Sequence, residues 1–358
     1  MTENDLIRET QLIDDNGPMD QLGVMCSTVK RVIIENHNYC NRRCTFCPNS
    51  LLDRRSRKVF LSDDLFMKVV RELSSGGFEN AFLFGRYHEP LADPIIYDRV
   101  AIARHALPKA FLSLNTNGDF LDVDALNRLD ISGLDEIKVM QYLPTGRRFT
   151  SKDAIARCMR LLSRLHLKGR LAKHIEDVEV RFDVEVAGRM AVSVHSENYF
   201  VTGLGADRGG SLQHLSVLSR SSPCFAPYFE LNVDYDGSVV PCCNMTSDLS
   251  AHKPYIIGNI SCDSLTSIFF SERARHIRAT VSQPHPSLSP CRHCQYYWPI
   301  RLQDSERVVL GGSASNGQPS VERSASNGQP SVEGSASNGR SSISSNVKTY
   351  PSGCDSSD

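Results

Sequence analysis

The sequence predicts an α/β protein with a partial (βα)6 barrel over residues 29–215, a small hairpin-and-helix module over 216–302 and a disordered polar tail over 303–358, preceded by an extension, 1–28. Three observations carry this. Strand-like β-branched runs alternate with amphipathic helical patterns from Val29 onward, the rhythm breaks at Cys224, and the last stretch loses almost all aromatic residues. Repeated βα units imply a parallel sheet under a helix layer, because parallel strands need a crossover that packs back onto the sheet. Five or six units, fewer than a full eight, leave a partial, TIM-like barrel, whose ligand chemistry belongs at the carboxyl ends of its strands.

Val29 to Asn36 reads as the first strand. Ser62-Asp63-Asp64 caps a helix whose apolar residues Leu65, Phe66, Val69, Val70 and Leu73 recur at helical spacing until Gly76-Gly77 ends it. Ala81 to Phe84 is the second strand, and Asp93-Pro94 opens a helix running to Ala106, with proline at its first position. Strands follow at Ala110 to Asn115, Glu136 to Leu143, Val178 to Val186 and Tyr199 to Thr202, with helices at Asp122 to Leu129 and Ser151 to Lys168. Phe229 to Val233 and Ser238 to Val240 flank Asp236-Gly237, a hairpin signal, and a helix at Ser264 to Ala279 leads to a pair of cysteines. In the tail, Ser-Ala-Ser-Asn-Gly starts at Ser313, Ser324 and Ser335; so polar a segment cannot bury enough to fold.

Forty Lys and Arg against 41 Asp and Glu give a net charge of −1, which excludes a protein built around nucleic acid or an anionic membrane. No apolar run approaches the roughly 18 residues that span a bilayer, and the polar, acidic start is no signal peptide, so the expected compartment is the cytoplasm. Twelve cysteines in a reducing compartment are expected as thiols, and clustered ones as metal ligands.

Directly after the first strand comes Cys40-Asn41-Arg42-Arg43-Cys44-Thr45-Phe46-Cys47, a C-x3-C-x2-C loop. Three thiolates leave one iron of a [4Fe-4S] cube without a protein ligand, open to the amino and carboxylate groups of a small molecule. Structural zinc wants four ligands and fits such a loop poorly. With Phe46 before its third cysteine, the loop resembles the motif of the radical S-adenosylmethionine (SAM) superfamily. The resemblance implies reductive cleavage of SAM to a 5′-deoxyadenosyl radical that abstracts a substrate hydrogen.

Two further stretches are similar to SAM-binding loops of that superfamily. Gly85-Arg86-Tyr87-His88-Glu89-Pro90 resembles its Gly-Gly-Glu-Pro loop, although the glycine pair is lost here, and Asn115-Thr116-Asn117-Gly118 resembles its Thr-Asn-Gly turn. The resemblance implies SAM contacts from Phe46, Gly85, Glu89, Asn115 and Asn117, with Gln141 and Arg181 placed to meet the ribose and carboxylate.

Cys224, Cys242, Cys291 and Cys294 form a second set, C-x12-G-x4-C followed by C-x2-C, which can fully ligate one metal centre. Spacing alone leaves zinc open for it. The set resembles the SPASM/twitch extension of radical SAM enzymes, in the twitch form with one auxiliary [4Fe-4S] cluster, since only Cys354 follows Cys294. Cys243 beside Cys242 is an alternative ligand, and a thiol such as Cys243 or Cys262 could return a hydrogen atom to a substrate radical.

Arg42, Arg43, Arg54, Arg55, Arg57 and Lys58 lie among a single acid, Asp53, and are expected to steer an acidic electron donor such as flavodoxin or ferredoxin. The expected activity is oxidation or rearrangement of a small hydroxylated natural-product precursor, an aminocyclitol or sugar. The alternatives are crosslinking or epimerisation of a ribosomally made peptide, and a non-catalytic zinc protein. The short segment before the first strand counts against an attached leader-recognition domain.

Overall fold

A computed structural model describes residues 20–143, 147–202, 207–215 and 219–294; the predicted tail, most of the extension and Cys354 lie outside the described residues. One ten-stranded sheet organises the chain, in the order β10-β9-β8-β1-β2-β3-β4-β7-β6-β5. Its strands are β1 (Arg31–Ile34), β2 (Ala81–Phe84), β3 (Phe111–Thr116), β4 (Glu136–Met140), β5 (Lys168–Ile175), β6 (Glu179–Glu185), β7 (Ala191–Glu197), β8 (Glu230–Val233), β9 (Ser238–Val240) and β10 (Gly258–Asn259). The six strands β8, β1, β2, β3, β4 and β7 pair in parallel, and antiparallel strands extend both ends.

Side-chain alternation gives the sheet two unlike faces. Val32, Ile34, Phe82, Phe84, Leu112, Leu114, Ile137, Val139, Val192, Val194, Leu231 and Val233 belong to the main hydrophobic core. They pack under helices such as Asp63–Ser75, which buries Phe66, Val69, Val70 and Leu73, and Ser151–Arg164, which buries Ala154, Cys158, Leu161 and Leu162. Each such side chain contributes about 1.5–3 kcal/mol when removed from water. The intervening residues, among them Ser113, Lys138, His195, Glu230 and Asn232, point to the opposite, polar inner face.

Six parallel strands are present, but not all are the predicted ones. The stretch predicted as the fifth barrel strand is β6, an antiparallel strand between β5 and β7. Tyr199–Thr202, predicted as a strand, is one turn of helix. The sixth parallel position is taken by β8, so the cysteine hairpin continues the barrel sheet. The helix from Ser151 stops at Arg164, and β5, mostly exposed and basic, lacks the apolar alternation that marks a strand. Ser271 breaks the last predicted helix by capping a second one, Glu272–Val281, after Leu265–Phe269. Gln21–Thr28 is a short helix that the sequence reading left in the extension.

Gly237 closes the β8–β9 hairpin at φ 82°, where an added Cβ would lie 2.8 Å from the Asn259 carboxamide oxygen. No helix among the described residues is long and apolar enough to cross a membrane. Cys158 is fully buried inside its helix face, and burial pushes its thiol up to about 12, as for a packing residue. Cys158→Ala is expected to lower stability by about 1 kcal/mol in a urea titration and to leave the iron content unchanged.

Candidate active site

Cys40, Cys44 and Cys47 lie in the loop that leaves the carboxyl end of β1. The loop is internally tied: the Cys47 N–H donates to the Cys44 carbonyl at 3.0 Å, and the Ser50 N–H and hydroxyl both donate to the Cys47 carbonyl, at 2.9 and 2.8 Å. Arg43 donates to the carbonyls of Asn49 and Ser50, at 3.3 and 3.0 Å, and Arg42 to Asp119 at 2.7 Å. Burial pushes the Cys40 and Cys44 thiols up to about 12, and the neighbouring sulfurs push the same way; burial also raises Cys47. Three half-buried thiols in one short loop are a donor set that suits a cationic metal centre, which would stabilise their thiolates.

Beside this loop is a hydrogen-bonded web from three strand ends. Glu89, 2% exposed, accepts from the Thr116 hydroxyl at 2.5 Å, the Asn117 N–H at 2.8 Å and the Leu91 N–H at 3.2 Å. Burial raises its carboxyl to about 7, and those donors hold it from rising further. The Gln141 amide donates to the Asn117 carbonyl at 3.0 Å, and the Asn117 amide donates to Asn41 in the cysteine loop at 2.8 Å. Gly118 is required there, since at φ 76° an added Cβ would sit 2.6 Å from Val139. Asn115 lies beside Gly85, where an added Cβ would meet nothing closer than 3.5 Å, so that glycine is not sterically demanded.

Arg181 stands apart from this web. It pairs with Asp183 at 2.8 Å on the antiparallel β6, about a third exposed, because its strand is not a barrel βα strand. Glu179, His195 and Glu197 bring their donor atoms within 4.8 Å of one another, a spacing compatible with a metal. Lys173 already holds Glu179 at 2.5 Å and Ser193 engages His195 at 2.9 Å, so two of the three groups have partners within the protein.

The sequence reading named Phe46 but missed the residues packed around it, Tyr142, Tyr199 and Arg208. Phe46 stacks on Tyr199 with ring centroids 4.3 Å apart and leans on Tyr142 at 5.1 Å. Arg208 donates to the Phe46 carbonyl at 3.2 Å and the Asn244 amide oxygen at 3.0 Å, and its charge is felt at Cys47, Tyr87 and Tyr199. Tyr142 and Tyr199 follow the carboxyl ends of β4 and β7, a signal available only once β7 is known. Arg208 sits in irregular chain, and no pattern marks it.

Cys224, Cys242, Cys291 and Cys294 line one cavity together with Pro227, Pro241, Ile277, Val281, Arg220 and Asn244. Cys242 is raised well above the ordinary thiol range by burial, with the charges of the other three adding to it. Four thiols lining one cavity fit a fully ligated cluster. Cys243 is not among the lining residues; its N–H donates to Glu230 at 3.2 Å and its carbonyl accepts from the Tyr87 hydroxyl at 2.9 Å. The register sets Asn232 opposite Val240, so Cys242 comes level with Glu230 at the amino end of β8. The first set lies in the loop past the carboxyl end of the adjacent parallel β1, and Arg208, which donates to both the Phe46 carbonyl and the Asn244 amide oxygen, bridges that loop to the chain just after Cys242.

Residues 35–141 match the radical SAM superfamily, and residues 224–295 match SPASM, an iron-sulfur cluster-binding domain. The chain belongs to the radical SAM superfamily, in its SPASM subgroup. A curated relative, the S-adenosyl-L-methionine-dependent 2-deoxy-scyllo-inosamine dehydrogenase of Niallia circulans, is 24% identical over 263 residues, 73% of this chain and 90% of the relative. The crystal structure of BtrN in complex with AdoMet and 2-DOIA shares the fold, with 22% identity, a TM-score of 0.57 and coverage of 78% of this chain and 96% of that one. Membership makes this a radical SAM enzyme that uses SAM, a SAM-binding [4Fe-4S] cluster and an auxiliary iron-sulfur cluster, and it removes the non-catalytic zinc alternative.

Among the described residues ten cysteines are free thiols, Cys242 and Cys243 among them. In the anaerobically reconstituted protein, Cys242→Ala is expected to remove about four irons per chain and Cys243→Ala none, as counted by iron and sulfide analysis.

Proposed function

We propose that the protein oxidises a hydroxyl of an aminocyclitol or a related small polyol, with Cys40, Cys44 and Cys47 ligating the SAM-binding cluster and Cys224, Cys242, Cys291 and Cys294 the auxiliary one. The observation that supports this is one cavity lined by Cys224, Cys242, Cys291 and Cys294 beside the strand that pairs in parallel with β1, whose carboxyl end leads to the three-cysteine loop. The likeness to an aminocyclitol dehydrogenase supports the substrate class. When bound, the SAM-loaded cluster supplies a 5′-deoxyadenosyl radical for hydrogen abstraction, and the auxiliary cluster supplies an electron acceptor.

The chain's own residues bind, orient and exclude water. Glu89 is a buried carboxylate held by three donors, an acceptor for the ammonium of SAM, and the Asn117 and Gln141 amides fix its surroundings. Phe46, Tyr142 and Tyr199 close an aromatic wall beside the cysteine loop. Arg208 gives its hydrogen bonds to neutral acceptors, so its charge remains available to hold a substrate oxygen and ease loss of the hydroxyl proton.

A flavodoxin or ferredoxin is the proposed source of electrons, but the basic stretch is smaller than its composition suggests. Arg54 is 2% exposed and paired with Glu35 and Asp248, Arg42 is paired with Asp119, and Lys58 with Asp93. Arg43, Arg55 and Arg57 of that run are exposed, leaving three charges for steering.

The test is incubation of the reconstituted enzyme with SAM, dithionite and 2-deoxy-scyllo-inosamine deuterated at its carbinol carbons. The expected result is a ketone and 5′-deoxyadenosine in equal amounts, with one deuterium in the deoxyadenosine. Deoxyadenosine without ketone from any aminocyclitol offered would contradict the reading.

A further inference from the structure

Arg86 stands where the superfamily-like loop loses its glycine pair, and its backbone has φ 96°, a region that glycine enters freely and other residues avoid. Something must hold it there. Its side chain, 3% exposed, is ion-paired with Asp234, at the tip of the β8–β9 hairpin, and lies 3.7 Å from Glu35, just past β1. Both acids are fully buried.

The same two acids tie further segments together. Glu35 accepts from the Tyr87 N–H at 2.8 Å and from Arg54 at 3.2 Å, and Arg54 continues to Thr246 at 3.1 Å and Asp248 at 2.6 Å. Asp234 accepts from the Ser247 N–H at 2.6 Å and the Thr246 hydroxyl at 3.3 Å. Tyr87, the residue after Arg86, donates its hydroxyl to the carbonyl of Cys243, next to Cys242. The loop that delivers Glu89 is thereby fastened to the chain on both sides of the second cysteine hairpin.

We propose that Arg86 is a positioning residue: through its ion pair with Asp234 it fixes the Glu89 loop against the cluster-binding hairpin, and the affinity for SAM depends on that pair. Neither residue touches SAM in this account, which rests on the reading of Glu89 as a SAM-binding group. The set Glu35, Asp234, Asp248, Arg54 and Arg86, buried except for the partly exposed Asp248, carries three acids and two bases, so loss of Arg86 leaves one base among three acids. Such a set relaxes by moving its most mobile member, and residues 85–89 form a loop, not a strand or helix.

A double-mutant cycle on the reconstituted full-length enzyme tests this, with the Kd for SAM by equilibrium dialysis and the SAM-induced change in the electron paramagnetic resonance spectrum of the reduced enzyme as readouts. Arg86→Met and Asp234→Asn are each expected to weaken SAM binding about tenfold, and the double variant no further, as for two residues acting as one unit. Arg86→Lys should recover part of the affinity beside Asp234 and none beside Asn at 234. If Arg86→Met does not load iron, Arg86→Lys carries the same cycle. Unchanged Kd in the loaded variants, or independent additive losses, would overturn the proposal, even if the melting temperature falls. Wild-type enzyme that binds no SAM would overturn the reading of Glu89 as well, which separates the two failures.

Discussion

The parallel pairing of β8 with β1 is the constraint on which the rest of the molecule depends. It takes the hairpin that carries Cys242 and seats it in the same sheet as the loop that carries Cys40, Cys44 and Cys47. Because parallel strands share one direction, the first cysteine set leaves at the carboxyl end of β1 while Cys242, returning along β9, arrives at the amino end of β8. The two cysteine sets are thereby carried by neighbouring strands of one sheet. A module joined only by a flexible linker would not fix that placement.

The inner surface carries several ion pairs. Arg31 is paired with Glu230, Arg54 with Glu35 and Asp248, and Arg86 with Asp234. Buried pairs of this kind add little net stability, because desolvation offsets most of the attraction, but breaking one by removing a single partner costs about 3–5 kcal/mol. Their effect is to permit one arrangement of the loops and penalise others. That suits a site that must hold a reactive radical in one orientation and keep water away from it.

Much of the chemistry was legible in the sequence because it depends on residue type at short spacing. The Cys40 loop, the four-cysteine set, the Asp236-Gly237 hairpin and the capped helix from Ser62 are local signals, and the structure brings Glu89, Asn117 and Gln141 together beside the first of them. What escaped depends on tertiary context. Strand β7 has polar residues on its inner face, so it does not read as a barrel strand, and with it went Tyr199. Tyr199–Thr202 is apolar enough to resemble a strand and too short to show a helical period. Arg54 looks like part of a solvated basic run, and only the distant Asp248 shows that it is buried structure. Arg181 was assigned from the position of its strand, whose direction sequence alone does not reveal.

The central claim is that two separate iron-sulfur sites serve one reaction space, and only one of them binds SAM. Electron paramagnetic resonance of the dithionite-reduced enzyme, with and without SAM, tests it most directly. The account predicts two overlapping signals, of which the one lost in a Cys40, Cys44, Cys47 triple alanine variant shifts on adding SAM, while the one lost in Cys242→Ala does not. A single signal, or a SAM-induced shift that survives the triple substitution, would contradict it.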